Sequence, residues 1–426
     1  MDENMENSIY DEKHVIVIGG GFAGINFAQQ ILKNPHYQIT LIDKNNYNYF
    51  PPLLYQVATS FLDPASISYP FRKLLRGKRI RFRMGEVSKI DTEKRTVFIN
   101  DDPIQYDFLV FATGAKINYF GNNSIEKNAL PMKTIDDALR MRNELLKTLE
   151  MATVTQDAME RKKLLNVVVA GGGPTGVEIS GMLAELKKFM LTKDYPELKE
   201  NPGNIYVIDG GKNLLAQMSQ KSQQRAYLAL SQLGVKIKLS TRVLDFENDI
   251  IRLSTGEVIA SKTLIWAAGI TANTFEGIPE TSLGKGKRMI TDQFNKVIGI
   301  DYTYAIGDSS IQTLDRNYPD GHPQLAQVAI QQGLNLAKNF NAMSKGEESK
   351  AFRYNDKGDM AIIGKSTAVV DLFKKSLFLH GFIALLVWLL IHLISLVNYR
   401  IKLRTLWNWF EAYVSRDQSL RTIFRS

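Results

Sequence analysis

Gly19, Gly21 and Gly24 follow the β-branched run Val15–Ile18 in V-I-V-I-G-G-G-F-A-G, and Gly171, Gly173 and Gly176 follow Asn166–Ala170 in N-V-V-V-A-G-G-G-P-T-G-V-E. Where a buried strand hands over to a helix, this spacing brings bare backbone amides against a pyrophosphate. The first glycine permits the tight turn, the second the close approach of the ligand, the third close packing of helix on strand. Gly20 lies within the first turn, and Phe22 and Ala23 open the helix whose first amides would bind the phosphates. Each turn is followed by a strand ending in an acid: Asp43 after Gln38–Ile42, 19 residues beyond Gly24, and Asp209 after Asn204–Ile208. A carboxylate at that place accepts the ribose hydroxyls. One such turn alone would be an ordinary tight loop; two, each with its strand, helix, strand and acid in order, describe a chain that holds two dinucleotides and can pass a hydride between them.

Further segments refine this. Tyr106–Gly114, Y-D-F-L-V-F-A-T-G, is a strand ending in Thr113 and Gly114, small enough for a cofactor to pass closely, and Tyr304–Asp308, Y-A-I-G-D, repeats the pattern. Either alone is a strand ending in a solvated turn. In this order they resemble flavoproteins with two dinucleotide-binding domains, where the later Gly-Asp pair places a carboxylate on the ribityl chain of FAD; by that resemblance Asp308 closes the flavin site. W-A-A-G-I at 266–270, with Ala268 and Gly269, resembles the strand end facing the nicotinamide in that superfamily. Asp209 favours NADH, because an acid there repels the 2′-phosphate of NADPH, and Lys212 is the only base near it in the sequence. Glu178 lies two residues past the third glycine, in the first turn of its helix. It is either a solvated acid suited to the helix dipole or, if desolvated near nicotinamide and flavin, a proton relay with a raised pKa. The local sequence leaves both open.

At 426 residues, 44% hydrophobic and 23% charged, the chain is long enough for two or three ordinary globular domains. It has no cysteine, which excludes disulfides, thiolate zinc sites, cysteine-ligated clusters and a redox-active dithiol. Five scattered histidines give no expectation of a metal centre. The opening M-D-E-N-M-E-N-S-I-Y-D-E-K is acidic and polar, so no secretory signal is expected and the folded body is expected in the cytoplasm. The net charge is +9, and from Lys374 onward eight Lys and Arg face only Glu411 and Asp417. These bases flank Leu377–Val397, 21 residues without formal charge, so an anionic membrane surface rather than nucleic acid is the expected partner. By length that stretch would span a bilayer, but a span would export the more basic end, against the positive-inside rule. Beyond it Leu403, Leu406, Trp407, Phe410, Tyr413 and Val414 form a stripe, with Arg400, Lys402 and Arg404 placed for headgroups. In-plane or re-entrant insertion is therefore expected, with a buried dimer interface as the alternative.

From about Lys13 to its C-terminus the chain resembles the type II NADH:quinone oxidoreductases, the single-subunit, non-pumping respiratory dehydrogenases. The resemblance rests on F-P-P-L-L-Y-Q-V-A at 50–58, G-G-G-P-T-G-V-E at 171–178, A-Q-V-A-I-Q-Q-G at 326–333 and the basic, aromatic tail. Gln327 and Gln331, four apart, share a helical face on which neutral amides would reach a quinone carbonyl and the flavin edge, or else they are surface glutamines. The resemblance implies that Ala326 and Gln327 touch flavin, that Gln331 touches quinone, and that Glu178 is catalytic. It also implies flavin contacts from Lys44, Val87 and a tail lysine, Lys375 or Lys374. The fold it implies is α/β, with two Rossmann-like domains and a helical membrane-anchoring region. The FAD domain is discontinuous (1–122 and 301–342), the NADH domain covers 123–300, and the anchor covers 343–426. A monotopic enzyme at the cytoplasmic face of the inner membrane, possible as a homodimer, is expected. The rivals are a soluble NADH-dependent reductase of a small carrier protein and a flavin redox sensor. Disulfide and sulfide:quinone reductases work through cysteines that this chain lacks.

Overall fold

The computed structural model describes residues 12–373, 375–414 and 420–423. Lys374, Arg416, Arg425 and the acidic leader lie outside them. Along the chain β1 (Lys13–Ile18), α1 (Phe22–Ile31) and β2 (Tyr37–Asp43) are followed by α2 (Leu54–Ala58), α3 (Phe71–Leu74), β3 (Ile80–Met84) and β4 (Phe108–Phe111). Next come β5 (Leu130–Pro131), β6 (Val167–Ala170), α4 (Pro174–Lys193), β7 (Ile205–Ile208), β8 (Lys236–Lys238) and β9 (Thr263–Trp266). The last part holds β10 (Thr303–Ala305), α5 (Ala326–Met343), β11 (Gly358–Ile363), β12 (Thr367–Leu372), β13 (Leu377–His380), α6 (Gly381–Ser395) and α7 (Tyr399–Val414).

The elements fall into two compact units, the first made of Met1–Asn48, Pro70–Lys116 and Ile270–Asp356. Its sheet has the order β10-β4-β1-β2-β3 with every pairing parallel. Val15, Ile16 and Val17 are wholly buried, as strands of a parallel sheet are when both faces are covered. On one face Ile16, Ile18, Ile42 and Phe111 pack with Val87, Ile90, Val97 and Ile99 of an antiparallel ribbon. On the other, Phe27, Tyr37 and Phe108 cluster around Phe340 of α5, and the Tyr37 hydroxyl donates to the Phe340 carbonyl at 2.9 Å. Helices α1 and α5 touch through backbone, because a Cβ at Gly333 would lie 2.4 Å from the Ala23 carbonyl oxygen.

The second unit comprises Tyr49–Tyr69, Ile117–Gly269 and Lys357–Ser426. Its sheet, β5-β9-β6-β7-β8, is again parallel throughout. Against α4 lies the antiparallel meander β11-β12-β13. The contact is close because a Cβ at Gly181 would meet the Gly364 nitrogen, in the β11–β12 turn, at 2.5 Å. The uncharged stretch 377–397 is not one helix. Leu377–His380 pairs with β12, and α6 has fifteen residues, about 22 Å of rise against a hydrocarbon core of roughly 30 Å. Among the described residues no helix is long and apolar enough to cross a membrane.

The tail helices have two sides. Trp388 and His392 of α6, with Ile401, Thr405, Trp409 and Ala412 of α7, are buried. Thr405 Oγ1 donates to the Ser66 carbonyl and Asn408 Nδ2 to the Ser66 hydroxyl, both at 2.7 Å. Phe382, Leu386, Leu390 and Ile394, one turn apart on α6, are exposed, as are Leu403, Leu406, Trp407 and Phe410 on α7. Tyr413 leaves the expected stripe: its hydroxyl donates to the Lys365 carbonyl at 2.9 Å and its ring meets Phe61 edge-on. Because α5 contacts α1 through bare backbone, Gly333→Ala should destabilise the protein by about 1–3 kcal/mol through overpacking. Thermal unfolding checks this; an unchanged midpoint would show that the two helices are not in backbone contact.

Candidate functional site

The two glycine turns are built alike. Gly19 has φ +99° and Gly171 φ +115°, a region glycine enters without steric cost. The Gly19 nitrogen donates to Ile42 O at 2.7 Å, and that of Gly171 to Ile208 O at 2.8 Å. A Cβ at Gly24 would strike Gly19 O at 1.9 Å, and one at Gly176 would strike Gly171 O at 1.8 Å. Gly21 and Gly173 face open space and cap α1 and α4 with no side chain on the first amides. Beneath each turn lies its acid. Asp43 accepts from Gly20 N (2.7 Å) and Asn45 N (2.8 Å); Asp209 accepts from Gly172 N and Gly211 N, both at 2.6 Å. Burial pushes the Asp43 carboxyl above its usual range, against the pull of those amides. Each carboxylate oxygen keeps a second lone pair for a ribose hydroxyl.

In the first unit Thr113 and Gly114 follow β4, as the sequence predicts. The Thr113 hydroxyl is buried without a partner and Gly114 faces open space, while Asn273 Nδ2 holds the Thr113 carbonyl at 2.9 Å. An orphaned hydroxyl and an open glycine fit a cofactor passing this strand end. Asp308 is half-buried, and the turn that carries it is clamped. Gly307 N donates to Gln332 Oε1 at 2.6 Å, Ser310 Oγ to the same oxygen at 3.3 Å, and Gln324 Nε2 to the Asp308 carbonyl at 3.0 Å. Gln332 was not singled out from the sequence, although it shares the apolar face of α5 with Val328 and Leu336, spaced by four. Ala326 and Gln327 open α5, both half-buried. Gln331 exchanges two bonds with the Asn355 backbone, donating at 2.9 Å and accepting at 3.0 Å. Lys44 is exposed beside Asp43. Val87 is buried in the core cluster with Ile99 and Tyr106.

In the second unit Glu178 is buried, which removes its reading as a solvated acid. Its cover is assembled from distant sequence. Ile362 N of β11 donates to Oε1 at 3.4 Å, and Trp388 and Tyr55 close over it, both buried. Desolvation pushes the carboxyl up to about 8, with the Ile362 amide and the Trp388 indole pulling weakly the other way. Tyr55 is itself pushed well above the usual phenol range, by burial first and then by the charge of Glu178. Gln56 joins Tyr55 to the tail, donating to its hydroxyl at 2.9 Å and accepting from Trp409 Nε1 at 2.8 Å. His392 stacks on Trp388 at 3.7 Å and, pushed down to about 4 by burial, stays neutral at pH 7. No cation among these groups favours ionisation, so Glu178 is a protonated acid at neutral pH.

Ala268 and Gly269 lie at the end of β9, exposed and half-buried respectively. Arg242 stands beside the Asp209 turn: a Cβ on Gly210 would meet its Cγ and Nε at 3.2 Å. The local sequence hid this base, because it arrives from 32 residues beyond Gly210. Lys375 is exposed in the β12–β13 turn at φ +68°.

The family described as "Pyridine nucleotide-disulphide oxidoreductase" matches residues 13–333, and "NDH2 C-terminal domain" matches 357–417. The type II NADH:quinone oxidoreductase NdhA of Mycobacterium tuberculosis is 34% identical, covering 96% of this chain and 89% of that protein. The Ndh protein of that organism, also a type II NADH:quinone oxidoreductase, is 33% identical, covering 96% and 90%. The solved structure of NDH2 from Plasmodium falciparum in complex with NADH matches in fold, with TM-score 0.87 at 23% identity, over 97% of this chain and 100% of that one.

The Glu178 carboxyl gives stability a definite pH dependence. Its folded pKa of about 8 stands above the ordinary 4.5, so the folded state holds the extra proton and loses stability as pH rises through that window. Glu178→Gln should therefore match the parent protein at acidic pH and melt several degrees higher above pH ~8. Equal midpoints in alkaline buffer would place this carboxyl in solvent.

Proposed function

The chain belongs to the type II NADH:quinone oxidoreductase family, and we propose that it passes a hydride from NADH to FAD and two electrons to a membrane quinone without moving protons across the membrane. FAD, when bound, accepts the hydride and releases electrons in pairs; the protein supplies position, dryness and protons. In this reading the first unit holds FAD. The amides opening α1 take its pyrophosphate, Asp43 its ribose and Asp308 its ribityl chain, with Gln332 keeping the Gly307–Asp308 turn in place. The second unit holds NADH on the amides opening α4, with Asp209 on the ribose hydroxyls.

The observation that carries the proposal is a buried Glu178 at the second glycine turn, its carboxyl pushed up to about 8, covered by Trp388 of the tail and by Tyr55 of α2. Reducing a quinone to a quinol consumes two electrons and two protons, and a neutral carboxyl with its pKa pushed up to about 8 is suited to donate one of them. Gln327 supports the flavin contact. Gln331 would reach a quinone carbonyl only by releasing Asn355. The exposed apolar faces of α6 and α7, with Arg400, Lys402 and Arg404, suit an in-plane bilayer contact at the cytoplasmic face. A second copy is the other cover for the same faces, and the mass of the detergent-solubilised protein separates the two.

Under anaerobic conditions NADH should bleach the bound flavin and quinone should restore its colour; bleaching without restoration would remove the quinone half of the proposal. Glu178→Gln should lower kcat about 100-fold or more at unchanged flavin content and abolish the fall in rate expected above pH ~8. Unaltered turnover would end the catalytic assignment. Asp209→Asn should raise kcat/KM for NADPH relative to NADH by about 10-fold, a gain lost on adding Arg242→Ala. Equal nucleotide preference before and after would sink the role given to Asp209.

A further inference from the structure

From Phe71 to Met84 the chain reads F-R-K-L-L-R-G-K-R-I-R-F-R-M, with Arg72, Lys73, Arg76, Lys78, Arg79, Arg81 and Arg83 and no acid. This run lies far from the basic tail in sequence; it meets the first glycine turn only through the Phe71 ring, which packs against Gly20, and through Met84, which pairs with Asp43, and its cations take no part there. Apart from the exposed Met84 its apolar residues point inward, and its cations, the half-buried Arg83 excepted, point outward. Phe71, Leu74, Leu75, Ile80 and Phe82 are buried, while Arg72, Lys73, Arg76, Lys78, Arg79 and Arg81 are exposed. The Phe71 and Phe82 rings stack at 4.9 Å, so α3 and β3 are pinned together by buried rings and present one cationic face, with the exposed Arg72 guanidinium 5.5 Å from the Phe82 ring centre. Arg79 pairs with Glu12, and Arg83 with Asp102 at 2.5 Å. Arg72, Lys73, Arg76, Lys78 and Arg81 have no acidic partner among the described residues.

Strand β3 is at the edge of its sheet, and charges on an edge strand discourage pairing with other chains. That need is met by one or two charges of either sign on the strand itself. It does not account for unpaired cations on the preceding helix and loop, which repel one another. A single-stranded nucleic acid would want exposed rings among the bases for stacking, yet both aromatic residues of the run are buried. A phosphate-bearing lipid surface needs only the cations. We propose that Arg72, Lys73, Arg76, Lys78 and Arg81 form a second, electrostatic contact with anionic lipid headgroups, apart from the apolar faces of α6 and α7. This inference rests on the membrane-surface reading above.

The test is flotation of the full-length holoprotein with vesicles of phosphatidylcholine alone or with about a third phosphatidylglycerol. A variant carrying Arg72→Gln, Lys73→Gln, Arg76→Gln and Lys78→Gln should bind the anionic vesicles about 10- to 100-fold less well. Its binding to neutral vesicles, its melting point and its rate with a water-soluble quinone should be unchanged. Arg72→Lys with Arg76→Lys should bind like the parent, and high salt should remove the preference for anionic lipid. A parent protein indifferent to lipid charge, or a quadruple variant that keeps full binding, would overturn the inference while leaving the tail contact standing. Loss of binding to a DNA oligonucleotide with vesicle binding intact would overturn it in favour of nucleic acid. Failure of the parent to bind any vesicle, unaffected by Phe382→Ser and Trp407→Ser, would instead remove the membrane reading itself.

Discussion

Helix α4 meets the Ile363–Gly364 turn through bare backbone at Gly181, and the chemistry of the second unit depends on that contact. Any side chain at 181 would put its Cβ 2.5 Å from the Gly364 nitrogen and force the β11–β12 meander away. The same meander supplies the Ile362 amide to Glu178 and leads into α6, which brings Trp388 over it. A carboxyl one turn into a helix that opens on a nucleotide turn would ordinarily sit in water and remain ionised. Here a glycine three residues further along permits the roof that dries it. Burial then does what a charge partner cannot: it holds a proton on a carboxyl at neutral pH without locking that proton into an ion pair.

The roof is polar where it must be and apolar elsewhere. Gln56 satisfies both Tyr55 and Trp409, so α2 and the last helix are joined by one amide. His392 is stacked and neutral, which keeps positive charge away from the acid. The two sides of the tail therefore differ in kind. Its inner side completes the environment of Glu178, and its outer side offers the apolar surface.

The glycine turns were legible in the sequence because all their parts are local: strand, turn, helix, strand and acid occur within about 45 residues, and the backbone chemistry admits few alternatives. Glu178 was ambiguous because its cover arrives from Ile362, some 184 residues later, and from Trp388 and Tyr55. Among neighbouring glutamines the phase of one helix decides the outcome. Residue 332 faces inward with Val328 and Leu336, whereas 331 turns out to Asn355, and motif resemblance without burial does not separate them. The uncharged stretch 377–397 reads as one segment by hydropathy, yet its first four residues pair with β12, a partner that periodicity alone does not reveal. Arg242 illustrates the same limit, since a search of nearby sequence cannot find a base that a sheet delivers.

Asp43 and Asp209 each use both carboxylate oxygens to hold the amides of their own turns, and with the ribose role proposed above this would tie the choice of nucleotide to the stiffness of the loop. An acid that only touched ribose could drift freely to a neutral or basic residue as cofactor supply changed. One that is also the keystone of its turn cannot, because its loss leaves two amides facing nothing. A lineage moving from one nicotinamide nucleotide to the other would need a second change first, in the loop or at the amides, before the acid could be surrendered. On that proposal the nucleotide preference of the second unit would be slow to evolve, and the first unit, built the same way, would share the constraint on its own acid.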